Sequence, residues 1–549
     1  MIFVKPWDKS QMNVFTLFEQ EILSGMWNSI AAIKTRFSIA VRKALQKNVT
    51  NSRSLPKQYA TTANTEKDGF RDYNSAKPFK EIPILTRLPV IGTAGHQLPC
   101  FGTYDLELQF NEGKRFVGDI FREKFGSRDI VVSFSREDLE TLYKYDEKYG
   151  RKLNFPIDED ALQIFKKEDV QMIEKEWYRL RDFARQSMLT PNGAKTFLNS
   201  IHAVSVDFIK RMDTFYGETQ ETQDLMKEMY RWALESIFVV GLNTRIGCLD
   251  LPPRSDGKRM FELLMSQFEC MQTLEGFAGS LQLWKSLPIN TMARYQRSAA
   301  EYNRLAIKHF DGALSDLAKT YVKQHADKSE LQPTFLMNWL KEGLDTKTAM
   351  LVFLDILLTG VQTTSHAAGF LLYHLAKNPK KQELMFEELR EILQPSNDGS
   401  ISYETYDKLK YSKACLKESL RLTPVVGGII RACSKNLVIS GYQVPAGTLI
   451  ALGFQPMSLN EEEFDDPEEF IPERFLVTSQ QASQFSLLPF GGIGPRTCVG
   501  RRIAQQEVIC LVTEILKKYR LEYHGDDVDV YAQLTCRPTS PIKMTFIRR

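Results

Sequence analysis

One stretch decides the fold of this 549-residue chain: Pro489-Phe490-Gly491-Gly492-Ile493-Gly494-Pro495-Arg496-Thr497-Cys498-Val499-Gly500. Its glycines and prolines predict a tight loop, because glycine reaches backbone conformations closed to other residues and proline fixes φ. A helical pattern starts immediately afterwards, near Arg501. The thiol of Cys498 therefore stands at a helix N-terminus, where free N–H groups and the helix dipole favour a thiolate. The alternative is a buried, inert thiol in a glycine turn.

A thiolate is the form in which cysteine serves as an axial ligand of haem iron. The stretch resembles the haem-binding signature of the cytochrome P450 family, F-x-x-G-x-R-x-C-x-G, through Gly494, Arg496, Cys498 and Gly500. The resemblance implies that Cys498 binds iron and that Arg496 meets a haem propionate. One residue departs from the signature, because Phe490 stands eight residues before the cysteine instead of seven. Either the loop holds one extra residue, or Gly491 replaces the aromatic ring.

Two further motifs follow the family's order along the chain. Glu418-Ser419-Leu420-Arg421 places a carboxylate and a guanidinium on one helix face. Taken alone, E-x-x-R is usually a surface pair. Some fifty residues later, Pro472-Glu473-Arg474-Phe475 is similar to the family's P-E-R-F element. The resemblance implies that Arg474 joins Glu418 and Arg421 in a buried network behind the haem.

The periodicity predicts a long helix over residues 346–378, with Asp345 as its cap and Pro379 at its end. Spacings of three and four place small side chains on one face, so that a flat cofactor can lie close to it: Thr359, Gly360, Thr363 and Ala367. The segment resembles the family's A/G-G-x-D/E-T-T, which implies that Thr363 handles protons during oxygen activation. Gln362 stands where an acid is usual, and it cannot titrate, so protons would have to arrive through water. The alternative is a buried helix whose hydroxyls bond to its own backbone.

Other residues are assigned by resemblance alone. Trp177 and Arg181 match the W-x-x-x-R element whose side chains reach a haem propionate, and Arg431 matches a third propionate-binding arginine. Residues 231–237 and 244–249 are similar to a helix and loop of the mitochondrial branch. That branch docks an acidic ferredoxin on basic residues near the proximal haem edge, and the matching residues here are Lys413, Lys417, Arg501 and Arg502. The alternative is a solvated basic helix face.

The composition limits the class of protein. A net charge of +3 gives no reason to expect a nucleic-acid partner. Eight scattered cysteines without a C-x-x-C pair match no zinc pattern and indicate a reducing compartment. We expect no transmembrane helix, because residues 356–376 have a polar centre, although peripheral contact with a membrane remains compatible with the sequence.

The N-terminal segment has the composition of a targeting sequence. Residues 22–65 contain seven basic and no acidic residues, with apolar side chains on one helical face. Acid-poor, basic, amphipathic composition is typical of mitochondrial transit segments, which predicts a targeting segment over residues 1–65 and the matrix side of mitochondria as destination. The pattern begins near Met26, which suggests translation from that residue. The alternative is a solvated basic arm. Residues 66–77 are predicted as a linker.

The remaining chain, residues 78–549, is predicted as one haem-thiolate monooxygenase domain with the cytochrome P450 fold, mainly α with small β-sheets. Residues 105–390 have mainly helical patterns, short strands are predicted near 438–442 and 448–450, and residues 541–546 alternate as a final strand. The resemblance implies hydroxylation of a lipophilic small molecule, steroid-like or xenobiotic, by heme b (iron protoporphyrin IX) with electrons from a ferredoxin. Two rivals stay open: a haem-thiolate isomerase that rearranges a peroxide, and a non-catalytic haem- or lipid-binding protein.

Overall fold

The computed structural model describes most of the predicted domain. The described residues are 73–84, 110, 113–125, 128–145, 173–216, 219–273, 290–324, 333–393, 401–433, 435–476, 487–492, 494, 496–532 and 535–549. The predicted targeting segment, residues 1–65, lies outside them.

Helices form most of the described structure, as the sequence predicts. In chain order they are α1 Arg136–Lys144, α2 Ile173–Met188, α3 Pro191–Lys195, α4 Leu198–Tyr216, α5 Leu225–Leu242, α6 Ser255–Thr273, α7 Asn290–Gln324, α8 Phe335–Lys341, α9 Thr346–Lys377, α10 Pro379–Ile392, α11 Tyr403–Lys408, α12 Lys410–Leu422, α13 Phe454–Ser458 and α14 Arg501–Lys518. Short 3₁₀ turns cover Tyr73–Ser75, Phe79–Glu81 and Pro472–Phe475.

Helix α9 is the long helix that the periodicity predicts, and its bounds agree with the prediction. The Asp345 carboxylate accepts the Thr348 N–H at 3.0 Å, which satisfies one of the N–H groups that open a helix. The next helix, α10, begins at Pro379, where a proline suits the first helical position. By length and composition α9 is the one helix among the described residues that could cross a membrane. It packs instead against α5, α12 and α14 as a core helix.

Helix α5 forms the largest contact with α9. Nearly every residue of α5 is buried, and Gly241 lets the Phe353 ring of α9 approach, because a Cβ there would lie 2.6 Å from that ring. The Glu235 carboxylate accepts the N–H groups of Gly247 and Cys248 at 3.3 and 2.8 Å. These bonds fix the loop that follows α5 and join the two segments, residues 231–237 and 244–249, that the sequence analysis compares with the mitochondrial branch.

Eleven short strands lie in four small sheets of the described structure. The strands are β1 Ile120–Phe125, β2 Arg128–Ser133, β3 Thr219–Glu221, β4 Gly428–Ala432, β5 Leu437–Ile439, β6 Tyr442–Val444, β7 Leu449–Gly453, β8 Tyr519–Glu522, β9 Val530–Ala532, β10 Cys536–Pro538 and β11 Thr545–Arg548. The sheet orders are β1-β2-β7-β4, β10-β9, β3-β11-β8 and β5-β6. The apolar faces of the β1-β2-β7-β4 and β5-β6 sheets join a second hydrophobic cluster, whereas Tyr519, Leu521 and Phe546 of the β3-β11-β8 sheet belong to the main helical core.

Two strand expectations need correction. The β1–β2 hairpin lies in the part predicted to be mainly helical, and its antiparallel register joins Ile120 to Ser133. The hairpin is stabilised by tertiary pairing of β2 with β7, which overrides weak local strand signals. The final strand starts at Thr545 rather than Pro541, because the carbonyls of Ile542 and Met544 accept from the N–H groups of Leu225 and Thr222 near the start of α5.

Part of the predicted linker, residues 73–77, forms hydrogen bonds with the rest of the domain. The Lys77 N–H donates to the Gly441 carbonyl at 3.0 Å, and the Gln443 N–H donates to the Lys77 carbonyl at 2.8 Å. The Gln443 side chain also donates to the Tyr73 carbonyl at 2.9 Å. Residues 73–77 therefore pack on the β5–β6 hairpin, and only the earlier part of residues 66–77 remains predicted as a linker.

Candidate active site

The cysteine loop is closed by backbone hydrogen bonds. The Cys498 N–H donates to the Phe490 carbonyl at 2.9 Å, and the Thr497 hydroxyl donates to the carbonyls of Gly492 and Gly494 at 2.9 and 3.1 Å. Gly491, Gly492 and Gly494 have φ of 74°, 78° and 99°, which side chains with a Cβ rarely adopt. The glycines therefore set the turn that brings Cys498 to the start of α14, as the sequence predicts.

Cys498 is an exposed residue, unlike the other described cysteines. Of the seven cysteines in the described residues, six are buried and Cys498 is exposed. Desolvation by the surrounding protein nevertheless raises the pKa of the Cys498 thiol; the N–H groups of Gly500 and Arg501 and the charges of Arg181 and Arg501 oppose that rise. The N–H groups at the helix N-terminus thus act in the predicted direction, since they lower the pKa of the thiol, but lost hydration outweighs them. A metal ion bound to the sulfur would supply the missing positive charge.

Arginine side chains surround the loop. The Arg181 guanidinium of α2 donates to the carbonyl of Thr497, next to Cys498. Arg501 lies with its guanidinium carbon 5.7 Å from the centre of the Phe490 ring, so the displaced aromatic residue packs beside the start of α14. Arg496 is partly buried within the loop. Positive charge thus gathers where the resemblance places acidic propionates.

The other two predicted propionate partners, Trp177 and Arg431, lie on α2 and β4. Trp177 lies in α2, one turn before Arg181, but its side chain is outside the described structure. Arg431 lies in β4 and donates to the carbonyl of Ile430 at 3.2 Å. Both roles stay predictions.

A buried charge network connects α12 to the turn that follows α13. Arg421 donates to both Glu418 oxygens at 2.8 Å, and Arg474 donates to Glu418 Oε1 at 3.0 Å. The Ile471 N–H donates to the same oxygen at 2.9 Å. The side chains of Glu418 and Arg421 are fully buried, and that of Arg474 is nearly so. The structure thus brings together the three residues that the sequence assigns to one network.

The remaining guanidinium hydrogens of the network meet backbone carbonyls. Arg421 also donates to the carbonyls of Ser458 and Glu469 at 3.0 Å, and Arg474 donates to that of Asp465 at 2.9 Å. Because every charged group has several partners, the desolvation cost of burying it is offset. The network fixes the segment between α13 and the Pro472–Phe475 turn.

Helix α9 presents an open polar face. The Thr363 hydroxyl donates to the Thr359 carbonyl at 2.8 Å, and the Thr359 hydroxyl donates to the Asp355 carbonyl at 2.9 Å. Asp355, Leu358 and Thr359 are exposed although α9 is a core helix, and Gln362 and Thr363 are partly exposed. Asp355 and Leu358 were missed by the sequence reasoning, which considered small residues only. The threonines bond to their own helix, as the alternative interpretation predicted, yet their side chains stay accessible.

The predicted face is only partly correct. A Cβ on Gly360 would lie 2.8 Å from Ile237 Cδ1, so Gly360 serves the packing of α9 on α5. Ala367 is buried at 8% exposure. A helix rotates 100° per residue, and the centre of the open face therefore lies between Thr359 and Gln362 rather than at Gly360.

The predicted ferredoxin residues, called the basic patch below, lie on two helices that contact each other: Lys413 and Lys417 on α12, and Arg501 and Arg502 on α14. The Lys413 ammonium lies 4.4 Å from the centre of the Tyr406 ring and donates to the Asp407 carbonyl at 3.1 Å. Burial lowers the pKa of Lys413. The positive charge of Arg502 also acts on Tyr406, and it repels the charge of Arg501. Lys417 is exposed one turn after Lys413. The patch therefore adjoins the start of α14 and the cysteine loop.

These residues fit a haem. An exposed cysteine at the start of α14, guanidinium groups beside it, and an accessible polar face on α9 are the features that the group requires, and α9 packs directly against α14. In the described residues no cluster of three or more His, Cys, Asp or Glu side chains suits a separate metal ion.

Comparisons with known proteins agree with this geometry. The sequence profile described as "Cytochrome P450" matches residues 83–546. The chain is 28% identical to "Probable cytochrome P450 49a1" of Drosophila melanogaster over 86% of its own length and 84% of that protein. It is 30% identical to "Cytochrome P450 10" of Lymnaea stagnalis, with 86% of each chain covered. It is 27% identical to "Probable cytochrome P450 12e1, mitochondrial" of Drosophila melanogaster, over 96% of its length and all of that protein.

A solved structure shows the same fold. The chain is similar to one described as "Crystal structure of cytochrome P450DA heme domain", with a TM-score of 0.68 and 18% identity over 86% of this chain and 98% of that one. The predicted fold class, mainly α with small sheets, is confirmed.

Proposed function

Because the chain belongs to the cytochrome P450 family and is a haem-dependent monooxygenase of that family, we propose that it hydroxylates a lipophilic small molecule with electrons from a ferredoxin in mitochondria. The observation that carries the proposal is the exposed Cys498, held at the start of α14 within reach of a basic surface. The match over residues 83–546 agrees with one catalytic domain, proposed as residues 78–549.

Bound haem supplies the activation of dioxygen, with one oxygen atom inserted into a C–H bond of the substrate and the other released as water. The chain's own residues hold and tune that group. Cys498 is the proposed iron ligand, and Arg496, Arg181, Trp177 and Arg431 are the proposed partners of the propionates. Arg181 would share its guanidinium between a propionate and the Thr497 carbonyl, which couples cofactor binding to the shape of the loop.

Thr363 is the proposed proton-handling residue. Its hydroxyl hydrogen points at the Thr359 carbonyl, so its Oγ1 lone pairs remain available to accept a hydrogen bond from water on the open face. The Thr363 hydroxyl can then donate by turning away from its own helix. Gln362 can orient a water molecule but cannot titrate, and protons therefore reach Thr363 along water.

The proposed electron donor is an acidic, adrenodoxin-like ferredoxin that docks on Lys413, Lys417, Arg501 and Arg502. Opposite charges steer such a partner toward the proximal side and orient it there. Lys413 shares its charge with Asp407, at 3.5 Å, whereas Lys417 projects from the helix. We therefore expect Lys417→Gln to raise the KM for ferredoxin by about three- to five-fold at low salt, and Lys413→Gln to raise it less. Equal KM values in wild type and both variants would argue against docking at this patch.

The proposed substrate is lipophilic, steroid-like or xenobiotic. The exposed Leu358 next to Thr359 gives the open face of α9 an apolar surface beside its hydroxyls. Several relatives carry "mitochondrial" in their names, which supports a mitochondrial location for this chain. The matrix side, peripheral contact with the inner membrane and the targeting role of residues 1–65 are part of the same proposal.

The decisive experiment compares wild type with Cys498→Ser. Wild type should bind haem, give the long-wavelength ferrous–CO band of a thiolate ligand, and consume NADPH with ferredoxin, its reductase and a substrate found by spin-state titration. Cys498→Ser should lose the band and the turnover, while Cys433→Ser, a buried thiol near the sheet, should keep both.

The same preparation separates the rival functions. Turnover of a lipid hydroperoxide without reductant would favour the peroxide isomerase. An intact band without NADPH consumption for any ligand would favour a binding protein. An unchanged band in Cys498→Ser would refute the assignment of the iron ligand.

A further inference from the structure

The cysteine loop has Phe490 one position further from Cys498 than the family signature has it, and the structure shows how the glycines between them are held. The loop is closed at both ends, because the Cys498 N–H bonds to the Phe490 carbonyl at 2.9 Å and the Gly491 N–H bonds to the Leu488 carbonyl at 3.0 Å. The two consecutive left-handed glycines, Gly491 and Gly492, lie between these bonds. The chain therefore turns at Gly491–Gly492, and this turn is called the bulge below.

One side chain from a distant helix fills the bulge. The Tyr143 hydroxyl, at the end of α1, donates to the carbonyl of Gly491. A Cβ on Gly492 would lie 2.6 Å from the Tyr143 oxygen and 3.1 Å from Leu488 Cδ2. The hydroxyl thus occupies the room that any side chain at position 492 would need, and it satisfies the carbonyl that the bulge turns outward.

The position of helix α1, which carries Tyr143, is fixed by hydrogen bonds to neighbouring segments. The Asp138 carboxylate accepts the Ser133 hydroxyl at 2.6 Å and the Ser440 N–H at 2.7 Å, which bonds the helix to β2 and to the β5–β6 turn. The Ser135 hydroxyl caps the helix by accepting the Asp138 N–H at 3.3 Å. Because α1 is held at its start by these bonds, Tyr143 can hold a loop that would otherwise shift at its glycines.

We propose that Tyr143 is a positioning residue for the iron ligand: it pins the bulged cysteine loop so that the N–H groups of Gly500 and Arg501 stay directed at the Cys498 sulfur. N–H donation to a ligating thiolate lowers its electron donation to iron and stabilises the bond, so the loop geometry tunes the haem. The proposal deepens the proposed function and rests on Cys498 as the iron ligand.

The test is Tyr143→Phe in the holoenzyme, with Tyr145→Phe as matched control. Tyr145 is a partly buried tyrosine two residues further along, so the control removes a hydroxyl near the same helix end. In Tyr143→Phe the long-wavelength ferrous–CO band should decay about five times faster, the factor that corresponds to one hydrogen bond. The haem midpoint potential should become more negative, while the thermal unfolding midpoint and the haem content after purification should match wild type. Tyr145→Phe should change none of these.

A second variant separates positioning from general packing. Deletion of Gly492 restores the family's spacing of seven residues between Phe490 and Cys498. In that background Tyr143→Phe should no longer speed the decay of the band. The proposal is overturned if Tyr143→Phe leaves decay and potential at wild-type values, or if its effect is equally large after the deletion. Failure of the proposed function gives a different result, because wild type itself would then lack the thiolate band.

Discussion

The network around Glu418 and the open face of α9 both consist of polar side chains, but their hydrogen bonds are made differently. Glu418, Arg421 and Arg474 bond to one another and to backbone carbonyls from several segments. Thr359 and Thr363 bond only within their own helix among the contacts described above, and they remain accessible. The first region is completed by folding, whereas the second keeps polar atoms for other molecules.

The difference distinguishes side chains that stabilise the folded protein from side chains that are available for the reaction. A buried charge without partners costs several kcal/mol, so the network stays assembled whenever the protein is folded. A threonine hydroxyl bonded to its own helix can exchange that bond for one to water at almost no net cost. We therefore expect substitutions in the network to act on stability and haem retention, and substitutions on the open face to act on turnover.

The largest effect is expected from Glu418→Ala, which tests whether substitutions in the network lower stability and haem retention. It leaves the buried guanidinium groups of Arg421 and Arg474 without their carboxylate and should lower the free energy of unfolding by about 3–5 kcal/mol. Urea unfolding and haem content per chain measure the loss. Glu387→Ala, at an exposed position of α10, is the control and should change neither. A stable, haem-replete Glu418→Ala protein would show that the network is dispensable.

A slightly smaller, pH-dependent effect is expected at Glu507 of α14. Burial raises the pKa of this carboxyl to about 7, although the 2.5 Å hydrogen bond from the Ser236 hydroxyl lowers it. Between these two pKa values the folded protein keeps a proton that the unfolded chain has released. The resulting contribution of Glu507 to the free energy of unfolding is complete below pH 4.5 and is lost as the pH rises to about 7. Over that window the stability of wild type should fall by on the order of 3 kcal/mol through this group.

Glu507→Gln should remove that pH dependence. The amide cannot titrate and keeps an oxygen that accepts from Ser236, so the variant should have a flatter stability profile between pH 5 and 7 (roughly the window set by the two pKa values). Urea midpoints measured across this range provide the comparison. Identical slopes for the variant and wild type would mean that Glu507 does not titrate there.

The smallest of these effects is expected at Thr363 and concerns rate rather than stability. Thr363→Ala removes the proposed proton-handling hydroxyl and should lower product formation about 10- to 100-fold, within the usual range for proton transfer by a positioned group. NADPH consumption should persist and release hydrogen peroxide. The unfolding midpoint should not change, because the lost bond lies within α9. Thr359→Ala, which loses the equivalent bond one turn earlier, should retain product formation; equal losses in both variants would remove the special role of Thr363.

Local sequence was sufficient for several elements. The bounds of α9 followed from the Asp345 cap, the apolar period and Pro379, and the start of α14 followed from the glycine-rich loop. The E-x-x-R and P-E-R-F motifs predicted a network that the structure forms in detail. Such features depend on neighbours within a few residues or on a motif with a fixed order, and these are visible in one sequence.

The tertiary structure decided what depends on distant parts of the chain. Strand β2 forms because β7 pairs with it, Gly360 faces α5 because Ile237 fills that side, and the Tyr143 hydroxyl meets Gly491 across 348 positions of sequence. Desolvation by the surrounding protein likewise raises the pKa of the Cys498 thiol against the opposing effect of the N–H groups at the start of α14. The amino-acid sequence alone thus determined the ligand loop, the central helix and the family. Burial and long-range contacts decided which polar side chains are buried in a network, which remain exposed on α9, and which residue supports the cysteine loop. Neither packing distance nor hydration is encoded in any short segment.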